Sequence, residues 1–175
     1  AKGVEFAINY GGDANTIHGN KGIPLVEANK IYNNYMKGFK GMKVYQDRQR
    51  KFVMEHGYII TDFSSGRKAY IYDYDILMGI KARFNQEYWA TYKPYKGKEN
   101  KLLPKQVKNE LYQRFARGDN FNSMVGVYHY TTKKAGKDTI REAYVNIADV
   151  YVHPVRHFFK RKSASEKQAI NYPCQ

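Results

Sequence analysis

Glycine and proline cut this chain into short segments. That punctuation divides it into helices joined by turns, with strands where the apolar pattern changes period. Gly11-Gly12 ends a first helical stretch, AKGVEFAINY. Asp13 to Gly22 holds Asn15, Gly19, Asn20 and Gly22 and reads as turn-rich. Pro24 sits where a helix starts, and Ile23, Val26, Ile31, Tyr35 and Met36 form its expected buried stripe. Gly38 to Gly41 breaks that helix, and the next runs to about Glu55 with Met42, Tyr45, Phe52 and Val53 apolar. Gly57 is the expected left-handed cap.

The period then changes. Tyr58 to Asp62 and Arg67 to Tyr72 read as strands, and Phe63-Ser64-Ser65-Gly66 supplies a short loop, which predicts a hairpin. A helix follows from Asp73 to about Tyr92, with the Asp73-Tyr74-Asp75 pair read as its N-terminal cap. Lys93 to Lys101 reads as a solvated loop, and Pro104 opens a helix that ends near Gly118. Val125 to Thr132 reads as extended and Lys133 to Asp138 as a charged turn, while Arg141 to Val152 stays open between helix and strand. From His153 the chain is helical again, with Pro154 suited to a helix start. The expected fold class is mainly α with a small β-hairpin (α+β).

Thirty Lys and Arg against sixteen Asp and Glu give a formal charge of +14. Seventeen Tyr, nine Phe and one Trp supply enough aromatic surface for a folded core despite the polar average. A folded, basic, aromatic-rich domain suits a polyanion, because each neutralised phosphate releases condensed counterions. The one cysteine, Cys174, excludes a disulfide framework and a cysteine metal site. No apolar run approaches the ~18 residues of a membrane span, so no membrane partner and a cytoplasmic setting are expected. His153 and His157 have helical spacing but no Glu beside them, and read as surface residues, not metal ligands.

Lys2, Phe6 and Tyr10 stand four residues apart. At ~3.6 residues per turn each step drifts about 40°, so the three form one slanting stripe on a helix. A cation, a flat ring and a phenol in that order suit a grip on a nucleoside triphosphate, with the ammonium on phosphate and the rings toward sugar and base. The same spacing describes an amphipathic helix with Phe6 and Tyr10 in the core and Lys2 in water.

The string Lys2-x-x-x-Phe6-x-x-x-Tyr10-Gly11 resembles the O-helix signature of family A DNA polymerases, the group of bacterial DNA polymerase I. The family continues with a Pro-started helix, an aromatic-rich helix pair, a Gly-Tyr strand, a turn and Gly-Arg. Here those stand in order as IPLVEANKIYNNYMKGFKGMKVY and EHGYIITDFSSGRKAYI. The closing EKQAINYPCQ is similar to the family's next signature helix, stopped one residue short of its Gly. The resemblance implies a fragment: the fingers subdomain of a DNA-directed DNA polymerase, carrying a long insertion. Residues 1–72 would form the fingers, 73–160 a basic, aromatic-rich insertion, and 161–175 the return helix at the fingers–palm junction. An insertion of that length fits a bacteriophage enzyme, and with it a bacterial or phage-infected cytoplasm.

Residue by residue, the resemblance implies that Lys2 contacts the phosphates of the incoming dNTP and assists catalysis. It puts Phe6 against the deoxyribose and Tyr10 over the new base pair. Gly11, Lys167, Asn171 and Gln175 match positions that meet the template-primer. Lys167 stands where the family has Arg, so a two-pronged contact becomes a single-point one. The implied partners are dNTP, template-primer DNA, and the palm and thumb of the same polymerase. The Mg2+ of two-metal phosphoryl transfer falls to palm carboxylates outside this chain, so the fragment alone is not expected to polymerise. The other reading is a non-catalytic nucleic-acid-binding module, or one chain of a split polymerase. Within the insertion, Tyr88, Trp89, Tyr92, Tyr112, Phe115, Tyr128 and Tyr130 interleave with Lys and Arg. That pattern suits an added nucleic-acid clamp or a helical insertion with a private core.

Overall fold

The computed structural model describes residues 2–171. Its elements run α1 (Lys2–Asn9), α2 (Ala14–Lys21), α3 (Leu25–Gly38), α4 (Lys40–His56), β1 (Tyr58–Asp62), β2 (Arg67–Tyr70), α5 (Tyr74–Ala82) and α6 (Gln86–Tyr95). Then follow α7 (Lys105–Arg117), a 3-10 turn at Asn122–Met124, β3 (Gly126–Lys134), β4 (Lys137–Val145) and α8 (Ile147–Asn171). The described chain is mainly helical with two small antiparallel hairpins. It divides into two compact units: one runs to Tyr72 and resumes at Lys162, and the other is Asp73–Arg161.

In the first unit, Ile8, Ile17, Ala28 and Met36 form a core edged by Val4, Ile23, Tyr32 and Tyr35. A smaller core of Val53, Ile59 and Ala169 joins α4, β1 and α8. Val26, expected inside, is 71 % exposed. It lies about 200° around the helix from Ala28, which occupies the buried stripe in its place. The turn expected at Asp13 to Gly22 is a helix. The Asp13 carboxylate accepts the Thr16 N–H at 2.9 Å, Thr16 Oγ1 accepts the Asp13 N–H at 3.4 Å, and Gly22 closes the far end in the left-handed conformation. The turn-forming residues at its ends are therefore its caps. Gly57 caps α4 with φ of 73°, as expected.

β1 and β2 pair antiparallel, with Tyr58 opposite Tyr70 and Ile60 opposite Lys68. Hydrogen bonds from the Ser64 and Ser65 side chains hold the Asp62 carboxyl down at about 2, which keeps it an acceptor for the turn.

In the second unit, the helix expected over Asp73 to Tyr92 is two. Asn85 accepts the Tyr88 N–H at 2.7 Å and starts α6 afresh. Arg83, in the break, donates to the Phe115 and Asp119 carbonyls at 3.0 and 2.8 Å and lies over the Phe115 and Phe121 rings. Asp73 occupies the cap position of α5 in the left-handed conformation, and its side chain makes no cap bond. The loop expected from Lys93 starts later, since α6 continues through Pro94 to Tyr95. Glu99 in that loop is buried, accepts the Gly97 N–H and pairs with Arg156.

The open stretch Arg141 to Val152 divides at Asn146. Asn146 and Asp149 each accept the other's backbone N–H at 2.9 Å, so β4 ends and α8 begins there. Pro154 consequently lies inside α8 and not at its start. Its ring removes the bond to the Val150 carbonyl, and the helix continues past it. The second hairpin, β3–β4, is anchored by Gln106 of α7, whose amide donates to the Thr131 carbonyl and accepts the Thr131 N–H.

Tyr88, Phe115 and Tyr128 are buried, and the Tyr88 hydroxyl donates to the Tyr151 carbonyl. Part of the aromatic interleaving thus builds a private core. Of the His153/His157 pair, expected on the surface, His153 is buried and His157 half-buried. His153 is 4 % exposed, with Nε2 at 3.0 Å from the Asn100 carbonyl and 3.3 Å from Asp149 Oδ1. His157 stacks on Tyr112 with ring centroids 4.0 Å apart. No helix among the described residues is long and apolar enough to cross a membrane.

Burial pushes the His157 imidazole below its ordinary range; Asp73 opposes the shift, while Arg161 and Lys160 reinforce it. A lowered folded-state value means the unfolded chain binds the proton more tightly. The stability this site contributes is therefore present above the unfolded value of about 6.5 and is lost as pH falls below it. Thermal unfolding followed between pH 7.5 and 5.5 should show the midpoint falling with pH. His157→Phe, which keeps a ring against Tyr112, should flatten that fall; an unchanged pH dependence would reject the assignment.

Candidate functional site

The sequence stripe lies on α1 and its C-terminal turn. Ile8 and Val4 face the core, which turns the opposite side of the helix outward. Lys2 is exposed, Phe6 is 62 % exposed and Tyr10 is half-buried. The plain amphipathic reading, with Phe6 in the core, does not hold. The Tyr10 N–H still bonds the Phe6 carbonyl at 3.1 Å, so the helical spacing carries one residue past Asn9. The Phe6 and Tyr10 ring centroids come to 4.2 Å with a 36° tilt. Together they present a two-ring apolar surface.

Sequence reasoning passed over one cation here. Lys21, at the end of α2, reaches across α1 at Gly3: a Cβ there would stand 2.6 Å from the Lys21 Nζ. The Lys21 ammonium thus lies over Gly3, the residue next in sequence to Lys2. No spacing rule links residues 3 and 21, so the signal exists only in the fold.

The other end of α1 closes by two backbone bonds. The Gly11 N–H meets the Ile8 carbonyl at 3.0 Å and the Gly12 N–H meets the Ala7 carbonyl at 2.8 Å, with Gly11 at φ of 77°. This is the Schellman closure, which places the left-handed residue at Gly11. Gln46, buried on α4, donates to the Ile8 carbonyl at 2.9 Å, and the Tyr35 hydroxyl of α3 donates to Asn9 Oδ1 at 2.8 Å. These two side chains fix the end of the helix from beneath. Gln46 was legible in part: it is a polar residue on the stripe of Met42 and Val53.

Gly11 also meets α8, because a Cβ on it would stand 2.8 Å from Ile170 Cδ1. The end of α1 and the last turn of α8 therefore lie together, which brings Gly11 near Asn171 in the fold. Asn171 is half-buried, and its Oδ1 has no hydrogen-bond partner among the described residues. Lys167 is exposed on the same helix, where Lys162 pairs with Glu166. Gln175 lies outside the described residues. Among those described, no three His, Cys, Asp or Glu side chains form a group that could hold a metal ion.

Compared with known proteins, the chain matches no family model, no curated protein and no solved structure.

Gly11→Ala should destabilise the first unit by about 2–4 kcal/mol, adding the left-handed penalty of a Cβ to its overlap with Ile170. Chemical denaturation checks this. A loss below about 1 kcal/mol would show that the close approach to α8 relaxes freely.

Proposed function

We propose that this chain is the nucleotide-gripping fingers region of a DNA-directed DNA polymerase of the family A type, binding an incoming dNTP and the template-primer. The observation that carries the reading is the exposed stripe on α1. The Phe6 and Tyr10 rings pack together, tilted, with Phe6 on the outward side of a helix whose other side is core. Lys2 and Lys21 stand toward one end of that stripe, and Gly11 closes against α8 at the other.

The chemistry follows from charge and shape. A triphosphate concentrates negative charge, and lysine ammonium groups such as those of Lys2 and Lys21 neutralise it without demanding a fixed fork geometry. Charge that builds on the departing pyrophosphate in the transition state is stabilised by the same groups, which are already in place. The Phe6 ring offers the sugar an apolar face with no hydroxyl to replace a missing sugar oxygen. Tyr10 extends that face toward the base. Gly11, buried against Ile170, fixes the end of the stripe, and the N–H donors of an Asn171 amide suit the minor-groove acceptors that every base pair presents. The Mg2+ of the reaction would be bound by palm residues outside this chain.

Two outcomes test the reading. Titrating a dNTP into the chain and following amide NMR shifts should move α1 and the α2 end near Lys21. Lys2→Ala should weaken that binding about tenfold, near 1.4 kcal/mol, and shifts that map elsewhere would sink the proposal. In the polymerase that carries this segment, Phe6→Tyr should raise dideoxynucleotide incorporation with little change in duplex affinity. Unchanged discrimination in a single-nucleotide extension assay would remove Phe6 from the sugar site.

A further inference from the structure

The second unit carries a strongly positive surface that the dNTP site does not use. Between Tyr88 and Asn109 the chain holds six lysines and a single acid, Glu99. The fold takes that acid off the surface. Glu99 is 5 % exposed; one oxygen pairs with Arg156 and the other accepts the Gly97 N–H. Asn100 beside it is tied down as well. Its N–H bonds Asp149 Oδ1 at 2.6 Å and its carbonyl faces His153 Nε2.

The loop between α6 and α7 is thus pinned from within by its polar residues. Lys96, Lys98 and Lys101 of the loop, with Lys93 in the last turn of α6 and Lys105 at the start of α7, all lie exposed, and none makes an ion pair among the described residues. Lys108 is held, since its ammonium donates to the Lys101 carbonyl at 3.0 Å. Like charges crowded on one loop repel each other, at a cost to stability that a bound polyanion removes.

We propose that this lysine loop is a contact surface for the phosphate backbone of duplex DNA. The inference goes beyond the dNTP site and stands on the second unit alone. Duplex DNA carries one charge per ~1.7 Å of axis, and lysines meet such an array as point charges without needing a base sequence. Flexible ammonium stems on a rigid loop suit backbone tracking.

The test measures binding of the 175-residue chain to a fluorescent DNA duplex across a range of salt. Each phosphate contact contributes about 0.9 to the slope of log K against log salt. Replacing Lys93, Lys96, Lys98, Lys101 and Lys105 together with Gln should reduce the slope by roughly 2 to 4. A control removes equal charge from the first unit, at Lys30, Lys37, Lys40, Lys43 and Lys51, and should change it by less than half as much. The proposal is overturned by an unchanged slope in the loop variant, by equal falls in both variants, or by a loss confined to anionic phosphatidylserine vesicles. Lys2→Ala in the same assay separates the two sites. It should leave the slope within about one unit, so a failure at the dNTP site does not register as a failure of the loop.

Discussion

The closure of α1 on Gly11 is the constraint on which the first unit depends. Gly11 and Gly12 satisfy the last carbonyls of the helix through a left-handed turn at Gly11, whose bare Cα lets Ile170 of α8 come against it. Gln46 then bonds the Ile8 carbonyl from beneath, inside the core. A helix of eight residues is too short to hold itself in water. Its order comes from these attachments and from Ile8, which is fully buried. Because they take the inner side, Phe6 and Lys2 are left outward, and the stripe becomes a surface.

The second unit achieves order by a different route. Its buried polar groups are paired: Arg83 with two carbonyls, Glu99 with Arg156, Asp149 with His153 and two backbone N–H groups. Such pairs contribute little net stability against apolar packing, but removing one partner strands the other. They specify which way each loop faces. That choice has an electrostatic result, since an acid turned inward leaves its lysine neighbours uncompensated outside.

Local chemistry made some of this legible before the fold was known. The Gly57 cap, the β1–β2 hairpin and the α7 limits at Pro104 and Gly118 rest on backbone preferences of single residues, which act whatever the surroundings. The errors share a cause. Asn15 and Gly19 signal turns by propensity, yet the Asp13–Thr16 capping box outweighs them and α2 forms. Pro154 signals a helix start, yet the Asn146–Asp149 pair starts α8 earlier. Reciprocal caps were readable in principle, since both partners stand three residues apart.

The sequence by itself determined the helical stripe of Lys2, Phe6 and Tyr10, the turn at Gly11 and the excess of positive charge, because these follow from residue type and spacing. Only the tertiary structure decided which side of α1 is buried, that Lys21 crosses at Gly3, that Gly11 meets α8, and that Glu99 leaves the surface. Each of those is a contact between segments distant along the chain. Periodicity shows that a helix has two faces, and packing against other elements decides which of them meets water.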